Sequence, residues 1–229
     1  AVAQYGLDCF AGCVKSPSCV IHVPVEDGFF DVGEITADKG ILFVGSIRRR
    51  KNPLALLRAM TSVLAKHPDA RLYLCGGSGE PDYAAKVKAF ISAHGLEGAI
   101  ELPGVVDRET LCGYLAKSRC LVLPSYQETA PGVICQAMAA GRVPIASPVG
   151  GVPEMIEDGV TGFLVDADDS DKLAERLIEL LSDFNKAKQM GATARAVAVE
   201  RYDRHKVADR ILEICSSVVA GGTKVGVAK

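Results

Sequence analysis

Short continuous apolar runs alternate along the chain with longer stretches whose apolar residues recur at helical spacing. The runs at 41–45 ("ILFVG"), 70–76 ("ARLYLCG"), 99–102, 120–124 ("CLVLP") and 143–147 predict strands. They are apolar throughout rather than at every second position, as in strands covered on both faces. Between them, 52–67, 82–94, 107–117 and 131–140 predict helices. Asn52 stands as N-cap of the first, and Pro53 suits its first turn. "GGVPEMIEDG" begins a short helix, and "GFLV" (162–165) reads as a brief strand or turn. Helices over 170–182, 184–200 and 204–218 close the chain ahead of a flexible tail, 219–229.

Strand–helix–strand order repeated at this spacing predicts an α/β fold, a doubly wound Rossmann-like parallel sheet with helices on both faces. Such sheets bind ligands at the carboxyl ends of their strands, so function is sought in the loops that follow them. No internal repeat or long low-complexity segment interrupts the pattern.

Composition narrows the picture without changing it. The 229 residues are 48% hydrophobic and 24% charged, with a formal net charge of −2, so no overall field favours nucleic acid or a membrane surface. No apolar run reaches the roughly 18 residues of a membrane helix, and the first residues lack the pattern of a signal peptide. The chain begins at Ala1 rather than Met, which reads as a fragment or a processed chain. Its eight cysteines form no Cys-x-x-Cys pair, against a zinc ribbon or a thioredoxin site. Several stand inside apolar runs, and the expectation is reduced core cysteines in a cytoplasmic protein.

Three loops carry candidate chemistry. "VGSIRRRKNP" (44–53) places Arg48, Arg49, Arg50 and Lys51 between a strand and a helix start. Free amides and the positive end of the helix dipole favour phosphate there. A solvated basic turn or a weak nucleic-acid patch explains the same residues. In "CGGSGEPD" (75–82) the third position of a dinucleotide-binding glycine fingerprint falls on Asp82, so Gly77 and Gly79 read as a tight turn. In the third loop Glu128 precedes a helix on which Val133, Ile134, Ala137 and Met138 share an apolar face. Gly132 and Gln136, four apart, fall on another face. Glu128 and Gln136 then look into a cleft at the helix N-terminus, or Glu128 merely complements the helix dipole. His22, His67, His94 and His205 are scattered, and none is a catalytic candidate.

The runs "ILFVGSIRRRKNP", "IELPGVVDRETLCGYLAKSRCLVLPS" and "PSYQETAPGVICQAMAAGRVPIASPVGGVPEMIEDGVTGFLV" together resemble the signature of the family-4 retaining glycosyltransferases, in order and spacing over about 41 to 218. The resemblance implies two Rossmann-like domains facing across a cleft, the B-type glycosyltransferase fold. The C-terminal domain holds a nucleoside-diphosphate sugar and the N-terminal domain mainly the acceptor. This chain looks like the C-terminal half. Residues 1–40 would be the exit from the missing domain and the linker, 41–203 the donor domain and 204–218 the closing helix.

By the same resemblance Lys51 neutralises the donor diphosphate and Glu128, first of the family's paired glutamates, contacts the donor sugar. These two are the implied catalytic pair. Gly45, Ser46 and Arg50 complete the phosphate loop, the backbone of Val105 and Val106 reads the base, and Gly132 and Val133 present amides to phosphate and sugar. Gln136 stands where the second Glu holds the ribose, and Ser46 where the family often has Arg. Gln still accepts a hydrogen bond but without the charge that strengthens it. The implied partners are a nucleotide-sugar donor as substrate and an acceptor held by the missing domain. No metal, further cofactor or nucleic acid is implied, and membrane association would come only through the absent half. A non-catalytic nucleotide-binding module that serves a partner subunit remains the alternative.

Overall fold

The computed structural model describes residues 1–13, 18–36 and 38–219. In chain order the elements are α1 (Gln4–Asp8), α2 (Asp27–Phe30), β1 (Gly40–Val44), α3 (Pro53–Lys66), β2 (Arg71–Cys75), α4 (Pro81–Ala93), β3 (Ile100–Gly104), α5 (Arg108–Ala116) and β4 (Ser118–Leu123). They continue with α6 (Gly132–Ala139), β5 (Val143–Ala146), α7 (Val152–Met155), β6 (Phe163–Leu164), α8 (Ser170–Ser182), α9 (Phe184–Arg201) and α10 (Arg204–Val219). The strands form one six-stranded sheet in the order β3-β2-β1-β4-β5-β6, with every pairing parallel. The order runs outward from β1 in one direction and from β4 in the other. It is the doubly wound arrangement, whose switch point lies between β1 and β4.

Alternation along the strands sorts the core into two layers. Ile41 and Phe43 of β1, with Cys120 and Val122 of β4, face α3, α4 and α8 through Leu56, Met60, Val87 and Leu177. Leu42, Leu121 and Leu123 point the other way, onto Ile134 and Met138 of α6 and Ala194 and Ala198 of α9. Both faces of the central strands are therefore dry, which explains their unbroken apolar sequence. β3 lies at the edge, where its half-exposed residues and Pro103 are tolerated. Val25 and Phe29 join the second layer, and Val25 donates to the carbonyl of Tyr202.

β4 begins two residues earlier than its apolar run, at Ser118 and Arg119, both buried. Ser118 donates to the carbonyl of Tyr114, and Arg119 to those of Asp38, Leu180 and Leu181 at the end of α8. Their polar groups are satisfied by main chain, so burial is tolerated. Val219 closes α10 rather than opening a tail, and residues 220–229 lie outside the described residues. The core reading of the cysteines holds for the three that stand in apolar runs and not for the rest. All eight are free thiols, but only Cys75, Cys120 and Cys135 are buried; Cys9, Cys13 and Cys215 are exposed. Burial pushes the three buried thiols up to about 12. No helix among the described residues is long and apolar enough to cross a membrane.

Candidate functional site

The loop after β1 leaves the sheet as an extension of it. Gly45 donates to the carbonyl of Cys75 and Ile47 to that of Gly77, while Gly79 and Glu80 return bonds to Ile47. This pairing brings two main chains very close. A Cβ on Gly76 would sit 1.9 Å from the Gly45 carbonyl oxygen, so the second loop needs glycine at 76, one residue before the pair read as a tight turn. A Cβ on Gly79 would meet the Arg48 guanidinium at 2.8 Å, so Gly79 makes room for Arg48 beside Ser46. Buried Ile47 anchors the loop from below.

A single turn of 3-10 helix, Arg49–Lys51, then reverses the chain into α3. Asn52 sits at the N-cap, but in the left-handed region (φ 48°, ψ 46°), and its side chain caps nothing. Its amide instead donates to the carbonyl of Ala167 at 2.8 Å. The expected cap is thus a tether between this loop and the segment before α8. Asn suits both tasks, since it tolerates the left-handed region better than other non-glycine residues.

Lys51 extends its stem over Gly45, and its ammonium reaches Glu128 Oε1 at 2.5 Å. Glu128 is only 7% exposed, and the Lys51 side chain 14%. Arg50 stands 3.7 Å from the other carboxylate oxygen and donates to the carbonyl of Gln127 at 2.6 Å. Tyr126 returns a backbone bond to Arg50, and its hydroxyl donates to Asp168. That bond raises the Tyr126 pKa above its ordinary value. The loops after β1 and β4 are therefore stitched together directly above the switch point.

Glu128 is positioned from beneath by glycine. A Cβ on Gly150 (φ 58°) would fall 1.6 Å from the Glu128 carbonyl oxygen, and one on Gly151 2.3 Å from that of Thr129. The Gly151 amide donates to the same Thr129 oxygen. Two mostly buried charges 2.5 Å apart attract strongly but have each lost hydration, so the pair is a poised arrangement more than a source of stability. A ligand carrying negative charge can compete with Glu128 for Lys51 and Arg50.

Of the residues singled out in the sequence, Lys51, Arg50 and Glu128 are joined by direct contacts, and Gly45 lies under the lysine stem. Glu128 thus does more than complement a helix dipole. Gly132 and Val133 open α6 immediately after this loop. Its N-cap is Pro131 and no side chain caps it; the Ile134 amide donates to the Pro131 carbonyl, and those of Gly132 and Val133 are left for another acceptor. Gln136 lies one turn further on, half-buried. Val105 is 83% exposed at the end of β3, against Gly77, and Val106 packs partly into the second layer. Ser46, Val105, Val106, Gly132, Val133 and Gln136 share the carboxyl edge but, among the described residues, make no hydrogen bond to the charged cluster. No group of three or more His, Cys, Asp or Glu that could hold a metal occurs among the described residues.

Sequence reasoning missed four features here. Gly150 and Gly151 were visible as a doublet; their role appears only once the Glu128 backbone lies over them. The Tyr126–Asp168 and Asn52–Ala167 links join distant segments and leave no local signal. Arg48 Nε, Ser125 Oγ and Ser147 Oγ are buried without a partner among the described residues.

Three comparisons bear on this geometry. The family described as "Glycosyl transferases group 1" matches residues 25–197. The chain is 31% identical over 189 residues to an alpha-maltose-1-phosphate synthase of Mycolicibacterium smegmatis, covering 79% of this chain and 48% of that protein. It spans about half the length of that curated relative. Among solved structures, Anabaena Alr3699/HepE in complex with UDP-glucose superposes with a TM-score of 0.83 at 23% identity, over 95% of this chain and 63% of that one. The C-terminal domain of a glycosyl transferase group 1 family protein (LpcC) of Francisella tularensis aligns over 80% of this chain and 96% of its own, at 23% identity and a TM-score of 0.68.

Proposed function

The chain belongs to the group 1 glycosyl transferases, and from that premise we propose that it is the donor-binding half of a retaining enzyme that takes a sugar from a nucleoside diphosphate. The Lys51–Glu128–Arg50 cluster at the switch point between β1 and β4 carries this reading. The diphosphate of the donor displaces the Glu128 carboxylate from Lys51 and Arg50. The amides of Gly132 and Val133, at the positive end of α6, take further phosphate oxygens. Glu128, released, accepts hydrogen bonds from the donor sugar. Gln136 holds the ribose, and the backbone at Val105 and Val106 lies beside the base.

As the glycosidic bond to the diphosphate breaks, its electron pair leaves on phosphate oxygen. Lys51 and Arg50 are already placed to stabilise that charge. The complex of the neighbouring Anabaena protein with UDP-glucose supports a nucleoside-diphosphate sugar as the substrate class. The acceptor belongs to an N-terminal domain outside this chain. Residues 1–40 are the exit and linker from it, 41–203 the donor domain, and 204–218 the helix that returns toward it. The apolar residues Ile211, Leu212 and Val218 exposed on α10 support that return. Residues 1–229 alone bind donor and do not turn it over. Gln136, neutral where the family has a carboxylate, keeps a second reading alive, a nucleotide-binding module without chemistry.

Thermal stabilisation by nucleoside mono- and diphosphates, with Lys51→Ala as control, tests the proposal. At about 100 times its dissociation constant a ligand stabilises by roughly 2.7 kcal/mol. Preference for one diphosphate, lost in the variant, is the expected result. A shift that survives Lys51→Ala unchanged would remove the site from contention. Turnover when the purified chain is mixed with an N-terminal half separates the enzyme from the binding module.

A further inference from the structure

At the opposite end of the sheet lies a cavity of about 300 Å³ that the proposed function leaves unused. Its floor is the turn Ala140–Arg142 before β5, one wall is the segment Gly33–Ile35 leading toward β1, and the other is one face of α9. Lys188, Ala192 and Arg195 lie on that face at helical spacing.

Arg142 is fully buried. Its guanidinium donates to the carbonyls of Leu115 (2.7 Å), Ala140 (2.6 Å), Gly33 (3.1 Å) and Glu34 (3.4 Å), and makes no ion pair among the described residues. Burial, and then the nearby charge of Arg195, lower its pKa to about 10. Arg195 donates to the Ala139 carbonyl and stands 5.9 Å from the Phe30 ring. Among the described residues the only carboxylate in the lining is Glu34, which is largely exposed and paired with Lys188 at 2.7 Å.

Carbonyls satisfy hydrogen bonds but leave the charge of Arg142 uncompensated, and a buried charge without a counter-ion is costly. The lining holds three cations (Arg142, Lys188, Arg195) and one carboxylate, an excess of two positive charges. A phosphate monoester carries about −1.5 to −2 at neutral pH and matches that excess, whereas a monocarboxylate matches half of it. Phe30, Ile35 and Ala192 offer the apolar surface that an attached organic group requires, and the volume falls at the small end of ligand sites. We propose that this cavity binds a small phosphate monoester of sugar-monophosphate size, its phosphate toward Arg142 and Arg195 and its organic part against Phe30 and Ile35.

The test uses the full chain carrying Lys51→Ala, so that phosphate binding at the other end of the sheet is suppressed. Glucose 6-phosphate, glucose, inorganic phosphate and malonate are titrated while the backbone amides of Gly33 and Gly141 are followed by NMR. Glucose 6-phosphate is expected to bind saturably and shift both amides, and glucose to leave them unmoved. Arg195→Gln and, independently, the exposed Lys188→Gln should each weaken binding, Arg195→Gln by about tenfold, the equivalent of roughly 1.4 kcal/mol. Absence of any shift, or affinity unchanged in both variants, would overturn the proposal. Equal affinity for inorganic phosphate would reject the monoester in favour of a bare anion, and tighter binding of malonate would reject phosphate.

Discussion

At the carboxyl end of the sheet, mostly buried Lys51 and Glu128 meet each other, with Arg50 beside them. At the amino end, fully buried Arg142 meets, among the described residues, four main-chain carbonyls and no carboxylate. A side-chain pair can be opened by a competing anion and closed again, because both partners swing on flexible stems. A guanidinium held by carbonyls from α5, the linker and the α6–β5 turn cannot move without loosening all three. The first arrangement suits a site that must exchange ligands. The second fastens segments together and leaves a positive charge buried among carbonyls.

The comparison breaks most visibly at Arg142. Arg142→Met removes the donor from several buried carbonyls at about 1–3 kcal/mol each, so urea unfolding should show a loss of about 4 kcal/mol. A loss below about 1 kcal/mol would mean that the carbonyls find other partners and the fastening role is wrong. Next comes Gly150→Ala, whose methyl would overlap the Glu128 carbonyl. It should cost about 3 kcal/mol and abolish nucleotide-dependent stabilisation. Retained nucleotide binding would show that the backbone under Glu128 need not hold its place.

Lys51→Ala should cost about 2 kcal/mol, because Glu128 stays buried with only Arg50 nearby. Adding Glu128→Gln should restore most of that stability but not the binding. An additive double variant would deny the coupling. Glu34 sharpens the contrast with the least energy at stake. Its hydrogen bond from Lys188, then the charge of that lysine, hold its carboxyl below the ordinary range. The contribution is present above the unfolded carboxylate pKa and lost as pH falls through the folded one. Carboxyl carbon shifts across a pH titration should show a low midpoint that returns to normal in Lys188→Gln. An unchanged midpoint would remove that ion pair from the cavity rim.

The two ends also differ in how far they were legible. Strands such as Gly40–Val44 and helices such as Ser170–Ser182 announce themselves through unbroken apolar runs and helical spacing, which are local properties. The basic loop before Pro53 and the acid before α6 could be named because ligands gather at strand ends in this fold class. Asn52 was misread because an N-cap side chain is inferred from position, whereas its actual partner, Ala167, lies 115 residues away. Arg142 gave no sign. Within "AAGRVPIAS" it reads as a polar residue ahead of a strand, and only tertiary carbonyls explain its burial. The full extent of β4 was hidden for the same reason at Arg119.

The bond between Lys51 and Glu128 spans 77 residues of chain and joins loops that follow β1 and β4, neighbours only at the point where the sheet's winding reverses. Strands β2 and β3 can add to β1, and β5 to β4, without creating that bond. The proposed donor pocket therefore comes into being when the two halves of the sheet dock, a step that closes a long loop and is expected late in folding. A nucleotide then has nothing to grip in the partly folded chain. It should slow unfolding in proportion to its affinity and leave the rate of folding unchanged.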